Sequence, residues 1–125
     1  MSARDKGDHW EEAALTHALH AGLVLVARNF HCRFGEIDLI LRDGECVVFA
    51  EVRYRGEHAR GDGTSSVGAA KRHKLVRAAQ TWLQRNPRAA DGPCRFDVIG
   101  CSGSPTQPRF DWTRNAFDAP YDEIP

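Results

Sequence analysis

Three carboxylates interrupt two otherwise apolar stretches in GEIDLILRDGECVVFAEVRYR, residues 35–55: Glu36, Asp38 and Glu51. Carboxylates are poor strand formers and costly to bury, so they stand either on a solvated face or together for chemistry. Oxygen donors of this kind suit a hard cation such as Mg²⁺ or Mn²⁺. Arg53, two residues beyond Glu51, points to an anion beside such an ion. Carboxylates, a divalent cation and a guanidinium together describe phosphodiester hydrolysis. The plainer alternative is an exposed ladder in which the acids pair with Arg53 and Arg55.

Positioning these residues falls to a hairpin. Asp43-Gly44 is a strong two-residue turn signal between strands GEIDLILRD and GECVVFAEVRYR. With those two as the loop, Arg42 pairs with Glu45, Ile40 with Val47, Asp38 with Phe49 and Glu36 with Glu51. Asp38 and Glu51 then become diagonal neighbours. Alternation places Glu36, Asp38, Glu51, Arg53 and Arg55 on one face and Ile37, Leu39, Leu41, Val48, Ala50 and Val52 on the other, the core face.

A second element bears on the same site. Helical spacing of Leu75, Ala78, Ala79 and Trp82 predicts a helix from about Val67 to Arg85, capped by Ser66 and stopped at Asn86-Pro87. Lys71 falls on that apolar stripe and is aimed at the sheet, unless it snorkels past the core edge. His73, Lys74, Arg77 and Gln84 take the outer side, where they could meet a phosphate backbone, and Arg55 at the end of the hairpin is a further nucleic-acid contact.

Around these lie a helix from Trp10 to about His20, a strand LVLVARNF (23–30) and a strand CRFDVIGC (94–101). RGEHARGDGTSS (55–66) reads as a mobile loop without the ending of a phosphate-binding loop. SGSPTQP is a turn, RFDW a short edge strand, and the tail from Asn115 frayed helix or coil. The order αβββαβ gives one mixed sheet with a helix on each side.

The 125 residues make a single domain, with about 1–8 and 118–125 expected to be flexible. No apolar stretch is long enough for a membrane span, and the N-terminus is not that of a signal peptide. Four cysteines without CxxC spacing argue for a reduced, cytoplasmic protein and against a zinc site. Net charge is zero, yet residues 51–88 carry +6 between flanks of −3 each. A basic surface beside an acidic site is compatible with that distribution, as is a basic face that is simply solvated.

Residues 35–55, with SVGAAKRHKL (66–75) and CRFDVIG (94–100), closely resemble the YraN-type family of small bacterial proteins. That family in turn resembles the PD-(D/E)XK nuclease superfamily, particularly its Holliday-junction-resolvase-like members. The likeness runs from about Trp10 to Phe117. It implies a restriction-endonuclease-like α/β fold and a Mg²⁺- or Mn²⁺-dependent nuclease acting on branched or structured DNA. In the superfamily's pattern Asp38 and Glu51 are metal ligands, the carbonyl of Val52 is a third, and Glu11 joins through water. Glu36 then belongs to the surrounding shell. Arg53 stands where the motif has lysine, and arginine cannot release a proton. Lys71 is the candidate replacement. Two other readings remain: a nucleic-acid-binding module that kept the fold and lost the chemistry, and a protein-interaction adaptor. A homodimer follows only by analogy with two-fold branched DNA.

Overall fold

The computed structural model describes residues 3–55 and 67–117, with side chains from residue 7 onward. Helix α1 (Ala3–His20) leads into strands β1 (Val24–Cys32), β2 (Gly35–Asp43) and β3 (Cys46–Tyr54). Helix α2 (Ala69–Arg85) and a single turn, α3 (Pro87–Ala90), precede β4 (Cys94–Ser104) and β5 (Gln107–Phe117). The strands lie side by side in chain order. All neighbours are antiparallel except β3 and β4, whose parallel pairing requires the α2 crossover.

Both faces of the sheet are therefore covered, which explains the long apolar runs in the central strands. On one face Trp10, Ala14, Leu15 and Ala18 of α1 pack over Leu39, Leu41, Val48, Ala50 and Ile99. Trp10 also stacks on Tyr54, with ring centroids 4.8 Å apart. On the other face Leu75, Val76, Ala78, Ala79 and Trp82 of α2 pack over Ile40, Val47, Phe49, Phe96 and Val98. This is the mixed sheet between helices that the restriction-endonuclease-like reading expects, with α3 and a long β5 added.

Several local expectations need correction. α2 begins at Ala69 with Gly68 as its N-cap and no side-chain cap bond; Ser66 lies outside the described residues, as does the loop after residue 55. Asn86 closes α2, its amide donating to the Leu83 carbonyl, but Pro87 then opens α3 instead of ending helical structure. β4 runs on to Ser104, so only Pro105 and Thr106 make the turn, and β5 is a full edge strand through Asn115 to Phe117. The expected frayed segment is strand as far as it is described.

The long β5 has a specific anchor. Asp97 is 1 % exposed and accepts hydrogen bonds from the Trp112 indole (2.9 Å), the Asn115 amide (2.9 Å) and Arg95 (3.0 Å). These bonds bridge the bulge between Phe96 and Val98, opposite which Asn115 takes a positive φ of 52°. Asparagine tolerates that region better than most residues.

Candidate active site

The hairpin register differs by two residues from the one expected. Asp43 pairs with Cys46, Arg42 with Val47, Ile40 with Phe49 and Leu39 with Ala50, leaving Gly44 and Glu45 as the loop. Gly44 has φ +61°, the left-handed conformation that glycine adopts without cost. Asp43 is held in the ladder by Arg95 of β4, 3.0 Å away. A shift of two preserves sidedness within the paired stretch, so Glu51, in register with Val47 and Phe49, stays on the α2 face. That face is not solvated, however. Ile40, Val47 and Phe49 make it the floor of a second core beneath α2.

The β2–β3 ladder stops at Leu39 and Ala50, while β2 continues along β1 through Ile37–Phe30, Glu36–His31 and Gly35–Cys32. Ile37 and Leu39, two residues apart, lie in opposite core layers. A regular strand would put them on one face. β2 thus turns over around Asp38 as it leaves β3, and the expected grouping of Ile37 with Leu39 and Leu41 fails there. Asn29 of β1, with φ 52°, sits between the partners of Leu39 and Ile37 at the same level.

Into this split projects the Asp38 carboxylate. Its Oδ2 accepts a hydrogen bond from the Val52 amide at 2.8 Å, beyond the last residue pair of the ladder. Glu51 lies beside it, within hydrogen-bonding reach. Asp38 is 8 % and Glu51 9 % exposed, which rules out the solvated ladder for these two. Desolvation and mutual proximity push Glu51 up to about 7. Asp38 is also raised, chiefly by burial, against the pull of the Val52 amide and Lys71.

Lys71 reaches the pair from the first turns of α2: its Nζ is 3.2 Å from Glu51 Oε1. The Lys71 side chain remains 45 % exposed, so it meets the acid by snorkelling along the core edge. Arg53 follows Glu51 on the same strand side and lowers its proton affinity electrostatically. Glu51, Val52, Arg53, Tyr54, Gly68 and Lys71 line an open cleft of about 340 Å³.

The other expected members are nearby but differently employed. Glu11 on α1 is raised to about 7 by burial, then by Asp38, Asp8 and Glu36. Its Oε1 is buried without a hydrogen-bond partner among the described residues. Glu36 is exposed and pairs with His31 Nδ1 at 3.1 Å. His73 and Arg77 contact each other at 3.1 Å on the outer side of α2, with Lys74 exposed beside them. Arg55 is half-buried, and its amide donates to the Cys101 carbonyl.

With this geometry in place, the chain's relatives fall into line. Residues 10–101 match the model of a family described as "Uncharacterised protein family UPF0102". The chain belongs to the UPF0102 family. It is 47% identical over 120 residues to a UPF0102 protein of Pseudomonas paraeruginosa, covering 94% of this chain and 96% of the relative. A relative from Ectopseudomonas mendocina is 49% identical over 118 residues, covering 94% and 98%. One from Nitrosococcus oceani is 46% identical over 114 residues, covering 91% and 92%. This is the YraN-type family that the motifs resemble. The stretch matched in the UPF0102 protein runs from Trp10 to Cys101 and so contains Glu11, Asp38, Glu51, Arg53 and Lys71.

What can the site of this UPF0102 protein hold? Two adjacent desolvated carboxylates, with a third acid raised alongside, lack positive charge, which Lys71 only partly supplies. The donors are all oxygen, as Mg²⁺ and Mn²⁺ require. Among the described residues no three His, Cys, Asp or Glu side chains form a group able to hold one ion. A two-carboxylate site completed by a main-chain carbonyl and water fits what is present, because Mg²⁺ keeps much of its water.

Proposed function

We propose that this UPF0102 protein is a divalent-metal-dependent nuclease acting on DNA, with branched or otherwise structured DNA as its substrate. One observation carries the reading: Asp38 and Glu51 are buried side by side where β2 splits from β3, and Lys71 reaches Glu51 from α2. Neighbouring buried carboxylates cost stability, and a fold that retains them gains something in return.

Asp38 and Glu51, with the Val52 carbonyl, are the residues that would hold Mg²⁺ or Mn²⁺. Bound there, the ion supplies Lewis-acid polarisation of a phosphate and activation of water. The Val52 amide fixes the orientation of Asp38. Arg53 offsets the charge gathering on the phosphoryl oxygens but stays protonated throughout. Lys71, paired with Glu51, adds a second positive charge beside the phosphate. Water oxygen bonds to phosphorus as the ester P–O bond breaks; the water's proton passes to solvent, and the departing oxygen takes a proton from solvent.

Purified protein, a panel of branched and linear DNAs, and Mn²⁺ provide the test. Cutting that requires Mn²⁺ and disappears in Glu51→Gln supports the reading. Arg53, in place of the motif lysine, favours a second one: a binding module that retains the fold without the chemistry. It expects salt-dependent DNA binding with no cutting by wild type or by Arg53→Lys. Absence of DNA binding altogether favours a protein-interaction adaptor.

A further inference from the structure

At the opposite end of α2 from Lys71 the surface opens into a larger cleft of about 760 Å³. It lies between the C-terminal turn of α2, α3, and the β2–β3 loop. Trp82, Ala89 and Val47 contribute apolar wall, and Val26 of edge strand β1 is 39 % exposed beside them. Arg42, Arg85 and Arg88 stand around it, all exposed. Arg85 lies over the Phe30 ring at 5.6 Å. The side chains of Arg42 and Arg88 make no ion pair or hydrogen bond among the described residues. Glu45 and Asp91 also line the cleft, so the cationic surplus is small and local to the arginines.

The floor is closed by backbone. A Cβ on Gly92 would come within 3.3 Å of the Glu45 carbonyl, and the Val47 amide donates to the Pro93 carbonyl at 3.0 Å. Glycine here lets the α3–β4 connection press against the hairpin loop. The depression therefore belongs to the packed frame of the fold.

From these residues we infer that the cleft binds an unpaired nucleotide of a nucleic-acid strand, its phosphate on Arg42 and Arg88 and its base and sugar against Trp82, Val26 and Ala89. The inference rests on the nucleic-acid reading above and narrows its substrate class to strands with a single-stranded end or gap. Three features select this ligand. Guanidinium forks match phosphate oxygens, and apolar walls accept a base of any sequence. The volume falls in the range of small-ligand clefts, about 300–1,000 Å³.

Position supports the assignment. Fourteen residues of helix separate Lys71 from Arg85, about 21 Å at 1.5 Å per residue. Lys74 and Arg77 lie between, and Arg77 covers the Phe34 ring at 5.3 Å. A strand held at both ends would pass a basic, aromatic-backed track.

The test uses isotope-labelled full-length protein titrated with short oligothymidylate, with blunt duplex, and with inorganic phosphate. Oligothymidylate is expected to move the amide signals of Glu45, Ala89 and Gly92, with the duplex and phosphate moving them far less. Arg42→Gln with Arg88→Gln, both at exposed sites, should remove those shifts at unchanged melting temperature. It should also reduce the salt slope of binding by about 0.7 for each single-strand phosphate no longer neutralised. Silence at the cleft, or equal shifts in the double variant, overturns the inference, and tighter duplex than single-strand occupancy overturns its choice of ligand. Mn²⁺-dependent cutting with a silent cleft removes this inference alone. Cleft shifts without cutting on any substrate remove the nuclease reading alone, and neither response removes both.

Discussion

Glu51 concentrates the electrostatic conflict of the site. Its carboxyl is raised from 4.5 to about 7, first by burial and then by Asp38. Between those values the folded metal-free protein binds more protons than the unfolded chain, so its stability falls as pH rises through that window. Urea titrations from pH 4.5 to 7.5 in chelator should show this fall, and Glu51→Gln should reduce it, with Glu11, also raised to about 7, keeping part of the slope. In the same chelator at pH 7 the variant should melt no lower than wild type. Mn²⁺ should raise the wild-type melting temperature, reflecting about 2.7 kcal/mol at a hundredfold excess over Kd, and leave the variant unmoved. An equal response of the two proteins would place the ion elsewhere. Arg53 and Lys71 divide the remaining work by chemistry. Arg53→Ala should abolish cutting while the Mn²⁺ shift survives, and Arg53→Lys should retain or raise cutting. Lys71→Arg keeps the charge but replaces the compact ammonium that meets Glu51 with a planar fork, so activity should drop.

At the scale of elements, β5 depends on one buried carboxylate. Asp97 joins Arg95, the Trp112 indole and the Asn115 amide across the β4–β5 bulge. Asp97→Ala leaves the Trp112 indole and the Asn115 amide without their acceptor and Arg95 with Asp43 alone. Each orphaned donor costs about 1–3 kcal/mol, so a loss of roughly 2 kcal/mol or more is expected in urea denaturation. Hydrogen exchange should speed up first in β5, and a variant with unchanged protection there would contradict the anchoring role. The carboxylate pair depends instead on the parting of β2 from β3, which replaces a backbone acceptor for the Val52 amide with the Asp38 side chain. The same divergence that costs a ladder bond thus orients the site.

Over the whole molecule, a neutral chain separates its charge. Basic residues of α2 face outward over a sheet whose carboxylates are sunk at the helix's N-terminal end. Lys74→Ala with Arg77→Ala should weaken binding to all nucleic-acid sequences alike and lower the salt slope by about one for each duplex phosphate released from a cation. Filter binding across a salt series reads this directly, and an unchanged slope would move the binding surface off α2. No helix among the described residues is long and apolar enough to cross a membrane. Two faces of core, one under each helix, account for the near-continuous apolar runs of β2 and β3.

Local signals were enough for α1, α2, the three leading strands and the side of the sheet bearing Glu51. Each follows from a period of 2 or 3.6 in neighbouring residues, and sidedness survives a two-residue slip. Long-range contacts decided the rest. The register was set with Asp43 held by Arg95, 52 positions away, so the turn motif alone placed the loop one residue too early. Burial of the acids required α2 to cover a face that alternation by itself presented as polar. The turnover of β2 at Asp38 required β1 to lead it away from β3. β5 read as a short strand because its capture by Asp97 is a tertiary bond to a carboxylate that looked like an isolated interruption. The distal cleft left no local signature, since its walls come from β1, the hairpin loop, α2 and α3. Periodicity records which side a residue faces; only packing determines what meets it there.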